Sequence, residues 1–230
     1  AMVVVDILLK VASVGVWLAT ILSLVLPAGF GFFTWHPILM TTSFVLLMSQ
    51  GLVAYISAWG PLEKSYDRSN RRLVHGVIQL LAGLVALAGF LVAFVSNIDG
   101  GAKAEFAIGE DPTTAMHVWL GYLTLLGVLV QCVAGLFKVV LKARDAAATC
   151  APWHGTAGPF IFLCGCVTAC LGCSLWFSNS DGVTGQGIGL IVGIVATLVL
   201  GFLELCFFPG LSKEDMRERA DPSGGEYDAM

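Results

Sequence analysis

Six stretches, each long and apolar enough to cross the hydrocarbon core of a bilayer, constrain this chain more than any other feature. A span takes roughly 20 apolar residues in a helix, and the stretches run about Ile7–Leu26, His36–Trp59, Leu73–Asn97, Ala115–Leu141, Trp153–Ser178 and Gln186–Phe208. Only 12% of the 230 residues are charged, about half the share of an ordinary soluble domain. The fold class that follows is an all-α membrane protein of six transmembrane helices. Short polar or Gly/Pro-containing loops make residues 1–208 one transmembrane domain, with no soluble module attached. The segment 209–230 is charged, rich in small residues and without apolar periodicity, the composition of a disordered tail. The first stretch is too long for a signal-peptide core and has no small-residue cleavage site after it, so it is expected to stay as a helix.

Orientation follows from Lys and Arg. Lys64, Arg68, Arg71 and Arg72 lie between spans two and three, Lys138 at the end of span four with Lys142 and Arg144 in the loop after it, and Lys10 and Lys213 near the outer ends of the first and last spans. The opposite side has Lys103 alone, among Asp99, Glu105, Glu110 and Asp111. By the positive-inside rule both termini and the basic loops are cytosolic. The same bias serves topology without any ligand, and nothing in it points to a nucleic acid.

The chain has four histidines, His36, His75, His117 and His154, each near the start of its own span. Alternate spans run in the same direction. His36 and His117 therefore share a depth on the non-cytosolic side, and His75 and His154 share one on the cytosolic side. A single membrane histidine serves as well as a hydrogen-bonding residue between helices. Four, one per helix, in two same-side pairs, match the needs of two metal cofactors.

Residues sharing each histidine's face on a helix of 3.6 residues per turn are mostly small or polar. They are Met40, Ser43, Leu47, Gln50 and Ala54 in span two; Gln79, Ala82, Ala86, Gly89 and Ala93 in span three; Gly121, Thr124, Val128, Gln131 and Gly135 in span four; and Gly158, Ile161, Gly165, Thr168 and Gly172 in span five. Small faces also permit close helix packing without a cofactor. Eighteen residues beyond each histidine, about 27 Å along the axis, stand Ala54, Ala93, Gly135 and Gly172. That is the level of the opposite pair, and there a macrocycle needs room. The expectation is a central four-helix bundle holding two b-type haems. Two imidazoles on one iron leave no open coordination position, so the chemistry expected is electron transfer. Gln50, Gln79, Thr124, Gln131 and Thr168 are candidates to accept from the ring N–H groups.

Cys166, Cys170 and Cys173, with Cys164, superficially suggest a zinc or iron–sulfur site, but the stripe lies about 100–160° around the helix from His154. They read better as buried small apolar residues. Cys132, Cys150 and Cys206 suggest no disulfide framework. Glu204 is an intramembrane charge near enough to the cytosolic end to snorkel.

Trp35-His36-Pro37-Ile38-Leu39-Met40, Val74-His75 with Gln79, His117-Val118-Trp119-Leu120-Gly121 and Trp153-His154 resemble the cytochrome b561 family, over all six spans. Cys173-Ser174-Leu175-Trp176-Phe177 resembles its short intracellular transmembrane-reductase branch. The resemblance implies a homodimeric oxidoreductase with two haem b groups. It would move electrons from cytosolic ascorbate to monodehydroascorbate or ferric chelates across an endoplasmic reticulum or other endomembrane. It carries axial ligation onto His36 and His117 for the non-cytosolic haem and onto His75 and His154 for the cytosolic one. The chain departs from the family's ascorbate pattern at Leu52-Val53-Ala54-Tyr55-Ile56, which lacks an arginine, and at Ala115-Met116-His117-Val118.

An ascorbate monoanion near the cytosolic pair wants cations. Arg68, Arg71, Arg72, Lys142 and Arg144 are the candidates, although the same side chains can snorkel to lipid headgroups. On the far side Lys103, Glu105, Glu110 and Asp111 form a candidate acceptor site, carboxylates being hard ligands for ferric iron; a solvated acidic loop has the same composition. The alternatives are a quinone-linked cytochrome b subunit, and a haem-free metal or proton transporter or scaffold.

Overall fold

The computed structural model describes residues 2–28, 31–56, 68–98, 106–107, 110–140, 153–178 and 184–207. Six helices long and apolar enough to cross a membrane result, and among the described residues there is no strand. Helix α1 is Met2–Ala28. A short 3₁₀ turn, Phe32–Thr34, leads into α2, which comprises Trp35–Thr41, a π-helical segment Thr42–Met48 and Ser49–Ile56. Then follow α3 (Arg68–Asn97), α4 (Pro112–Val140), α5 (His154–Ser178) and α6 (Thr184–Phe207). The protein is a multi-pass membrane protein. The segment 209–230, expected as a tail, lies outside the described residues, as do Cys150 and the side chains of Glu204 and Cys206.

Helix α2 is the centre of the bundle. Its span is 56% buried, against 17% for those of α3 and α4. It packs on α3, which continues to α4, and α4 packs on α5; α1 and α6 lie against each other and against α2, and α6 also packs on α5. The lipid-facing sides of α3 and α4 carry Leu80, Leu84, Leu87, Leu123, Leu126 and Leu129, all about half exposed.

Close approach inside the bundle rests on missing side chains. A Cβ on Gly165 of α5 would collide with the ring of Phe44 in α2, and one on Gly193 of α6 with Val16 of α1. Glycines at such crossings let helix backbones near one another where no hydrophobic effect drives association. Polar residues tie other crossings of α2. Ser43 Oγ donates to the Ala82 carbonyl at 2.8 Å and Trp17 Nε1 to Thr42 Oγ1 at 2.8 Å.

The π-helical segment has a local chemical setting. Pro37, in the first turn of α2, offers no N–H, and Thr41, Thr42 and Ser49 donate their hydroxyls back to the carbonyls of Pro37, Ile38 and Val45. Such bonds compete with the α-helical ladder. A π turn closes i to i+5 and so inserts one residue into the register, which moves everything after Met48 around the helix.

Candidate functional site

The four histidines come together as two couples. The ring centroids of His36 and His117 are 6.3 Å apart with planes at 82°, and those of His75 and His154 are 6.4 Å apart at 85°. Each couple joins the start of one helix to the start of the next but one, so the couples occupy opposite ends of the bundle.

Backbone carbonyls orient three of the rings. His36 Nδ1 donates to the Gly89 oxygen at 2.9 Å, His75 Nδ1 to Gly51 at 2.8 Å and His117 Nδ1 to Thr168 at 3.0 Å. A carbonyl can only accept, so Nδ1 carries the proton and Nε2 keeps its lone pair. This is the tautomer a metal-bound imidazole needs, with the N–H held by a carbonyl behind it. Among the described residues His154 Nδ1 is buried without a partner.

For His36, His75 and His117 these partners correct the expectation that side-chain amides and hydroxyls accept from the rings. Thr124 and Thr168 turn their hydroxyls back to the carbonyls of Leu120 and Cys164, the ordinary bond of a helical threonine. Gln79 bonds the Met48 carbonyl and Gln131 the His154 carbonyl, both at 3.3 Å. Gln50, placed on the histidine face by an α-helical count, instead reaches α1 and donates to Ser13 Oγ at 2.9 Å, because the π segment has rotated it away.

The donor set suits a group that brings its own in-plane ligands. Among the described residues there is no cluster of three His, Cys, Asp or Glu side chains that could hold a bare ion. A metal–imidazole bond of about 2 Å on each side, plus the half-width of two rings, gives a centroid separation of about 6 Å for axial ligands of one metal. Two of the rings lie against helix positions that lack a side chain. A Cβ on Gly172 would stand 2.9 Å from His117 Cε1, and one on Gly135 3.4 Å from His154 Cε1. Ala54, Ala82 and Ala86 are buried on the same inner surface.

Three further residues at the couples escaped sequence reasoning. Phe33 stacks on His36 with centroids 5.4 Å apart, and Trp176 stacks on Phe33 at 6.2 Å, so a near-parallel aromatic pile covers that ring. Lys138, in the last turn of α4, stands close enough for its charge to act on His154. The run Ser174-Leu175-Trp176-Phe177 and the position of Lys138 seven residues after Gln131 were the available signals, and neither names a contact.

Of the candidate cations, Arg72 is exposed in the first turns of α3, three residues before His75; Arg68 and Arg71 precede it on the same helix. Lys142 and Arg144 lie outside the described residues, as do Lys103 and Glu105 on the other side. Glu110 is exposed. Asp111 is already engaged: its carboxylate accepts from the Thr113 and Thr114 amides at 2.9 and 3.2 Å and from the Thr114 hydroxyl at 2.6 Å, capping α4 ahead of Pro112. The Thr114 hydroxyl first, with the amides, holds this carboxyl below the usual range. Three hydrogen bonds thus tie this exposed carboxylate to the helix terminus.

Cys166 and Cys170 face α6. With Ile191, Ile194 and Leu198 they line an apolar groove of about 270 Å³. Cys166 is 1% exposed, and burial pairs it with Phe162 and Ile194.

The sequence profile described as eukaryotic cytochrome b561 matches residues 35–178. The transmembrane reductase CYB561D2 of Homo sapiens is 32% identical over 75% of this chain and 75% of its own. The transmembrane ascorbate ferrireductase 2 of Arabidopsis thaliana is 28% identical over 61% of this chain and 56% of its own, and the transmembrane ascorbate-dependent reductase CYB561 of Sus scrofa 25% over 74% and 68%. The chain belongs to the cytochrome b561 family, membrane oxidoreductases that bind haem b.

Proposed function

We propose that this protein carries electrons one at a time from cytosolic ascorbate, through two bis-histidine haem b groups, to monodehydroascorbate radical or ferric iron on the opposite side. The observation that carries the reading is the matched geometry of the two imidazole couples, 6.3 and 6.4 Å between centroids at opposite ends of one bundle. Haem b between two imidazoles supplies one-electron chemistry with no vacant coordination position.

The side chains divide the work. His36 and His117 hold the non-cytosolic group, His75 and His154 the cytosolic one. The carbonyls of Gly89, Gly51 and Thr168 fix ring orientation and raise ligand basicity. Gly135 and Gly172 leave the room that the His154 and His117 rings take against the neighbouring helix. Fourteen helical residues, such as those from His75 to Gly89, rise about 21 Å, so the couples lie far enough apart to serve the two faces of one membrane.

Arg72, with Arg68, Arg71, Lys142 and Arg144, supplies the positive charge that draws an ascorbate monoanion to the cytosolic end. Relatives named for ascorbate and for ferric reduction support these substrate classes. Lys103, Glu105, Glu110 and Asp111 are the acceptor-side groups. The basic loops support cytosolic termini, with an endoplasmic reticulum or other endomembrane as the location, and the exposed leucines of α3 and α4 suit lipid or a second copy of the chain in a homodimer.

Stopped-flow spectroscopy of the purified protein tests both half-reactions. The expected result is a low-spin b-type Soret and α band, reduced by ascorbate and reoxidised by ferric chelate or monodehydroascorbate. Absence of that spectrum overturns the proposal, and reduction by a quinol but not by ascorbate replaces it with a quinone-linked cytochrome.

A further inference from the structure

Three of the four ring N–H groups obey one positional rule. His36 donates to Gly89, fourteen residues after His75, and His117 donates to Thr168, fourteen residues after His154. His75 donates to Gly51, fifteen residues after His36, the extra residue being the one that the π segment inserts. Each acceptor thus lies on a helix carrying a ligand of the other couple, at the depth of the ring it serves.

For His154 the rule points to α4, fourteen residues after His117. Gln131 stands there. Yet among the described residues no carbonyl takes the His154 proton: Nδ1 is buried with no partner there, and so is Gln131 Oε1. The two residues are already joined, Gln131 Nε2 donating to the His154 carbonyl at 3.3 Å. The reverse orientation of the amide would set Oε1 against that carbonyl, acceptor against acceptor, so Oε1 is left for another donor. Buried polar atoms are almost always paired. Here an unpaired donor and an unpaired acceptor sit on two touching residues.

We infer that Gln131 is the positioning residue of His154: its Oε1 accepts the Nδ1 proton, directly or across one water, where main-chain carbonyls do this for the other three histidines. The inference rests on the reading of His154 as an axial ligand. Its consequence is that one centre alone has its imidazole basicity set by a replaceable side chain. A stronger acceptor behind an axial imidazole makes it a better donor to ferric iron and lowers the potential.

Redox titration of the full-length, haem-loaded protein with Gln131→Leu and Gln131→Glu tests this. Leu removes the acceptor at similar volume; Glu replaces it with a charged one. The expected result is that one midpoint rises with Leu and falls with Glu while the other stays fixed. A tenfold change in the relative affinity for the two oxidation states equals about 59 mV for one electron. Loss of one haem with Leu and its retention with Glu supports the same role. Native titrations in both variants, shifts of the same sign in both, or haem loss in both would overturn it in favour of simple packing. His154→Ala serves as the separate control, because unchanged haem content there defeats the ligand assignment itself.

Discussion

Gly51 accepts a 2.8 Å hydrogen bond from His75 at a place that an uninterrupted α-helix would give to Gln50. Counting from His36 at 3.6 residues per turn brings Gln50 to the histidine face. The π-helical segment Thr42–Met48 shifts the register by one. A residue without a side chain then faces His75, and its carbonyl can be approached from the neighbouring helix. Segments of this kind recur at functional sites, and here the gain is a bare carbonyl where a bulky amide would stand.

Gly51→Val therefore tests the register. An added Cβ would lie 2.8 Å from Gln79 Nε2 and 3.1 Å from Ile78 Cγ2. The glutamine end can swing aside, but the isoleucine branch on a packed helix cannot do so freely. The expected outcome is a loss of about 1–3 kcal/mol, the usual cost of overpacking, with a changed midpoint potential at one centre only. Thermal unfolding and redox titration read the two effects separately.

Much of this arrangement is legible in sequence because the bilayer imposes it. Six apolar stretches become six helices with ends within a few residues of those expected. The parity of helix direction brings His36 near His117 and His75 near His154 before any packing is known. The partners of the rings were not legible. They are main-chain carbonyls, which every residue owns, and the π segment depends on a set of Ser, Thr and Pro bonds that an α-helical wheel does not represent. The cap that Asp111 makes at the start of α4 was likewise not drawn from the sequence, although its place before Pro112 is one where such caps occur.

Pairing is testable by non-additivity. Residues that act as a unit lose their function once, so a second substitution within the unit adds nothing. His75→Ala should leave about half the native haem per protein, measured by the reduced pyridine adduct. Adding His154→Ala should lower it no further, whereas adding His117→Ala should remove nearly all of it. Equal losses from both double variants would refute the pairing.

The glycines beside the rings give a crossed prediction. Gly172 follows His154 by eighteen residues but abuts His117, and Gly135 follows His117 by eighteen but abuts His154. Gly172→Ala forces the His117 ring to move from a 2.9 Å approach, while Gly135→Ala meets His154 at 3.4 Å, within adjustment. Low-temperature electron paramagnetic resonance of the ferric protein should show a clear change in one signal for Gly172→Ala and little change in either for Gly135→Ala. The signal that moves should be the one missing from His36→Ala. Movement of the signal missing from His75→Ala instead would place Gly172 at the wrong centre.

Charge at the end of the bundle that holds His75 and His154 bears on whether the proposed donor is drawn in as an anion. Arg72 is exposed three residues before His75, and Arg71 precedes it by one. At low ionic strength, Arg71→Glu with Arg72→Glu should lower the second-order rate of reduction by ascorbate about tenfold, the low end of what focused charge contributes to encounter. The deficit should shrink in 1 M salt, where the screening length falls to about 3 Å from about 10 Å at 0.1 M. A neutral reductant should reduce both proteins at the same rate. If the double variant slows both reductants equally, the arginines act on structure rather than on encounter. If it slows neither, ascorbate enters elsewhere, and Lys138, whose charge reaches His154 from the end of α4, becomes the cation to reverse next.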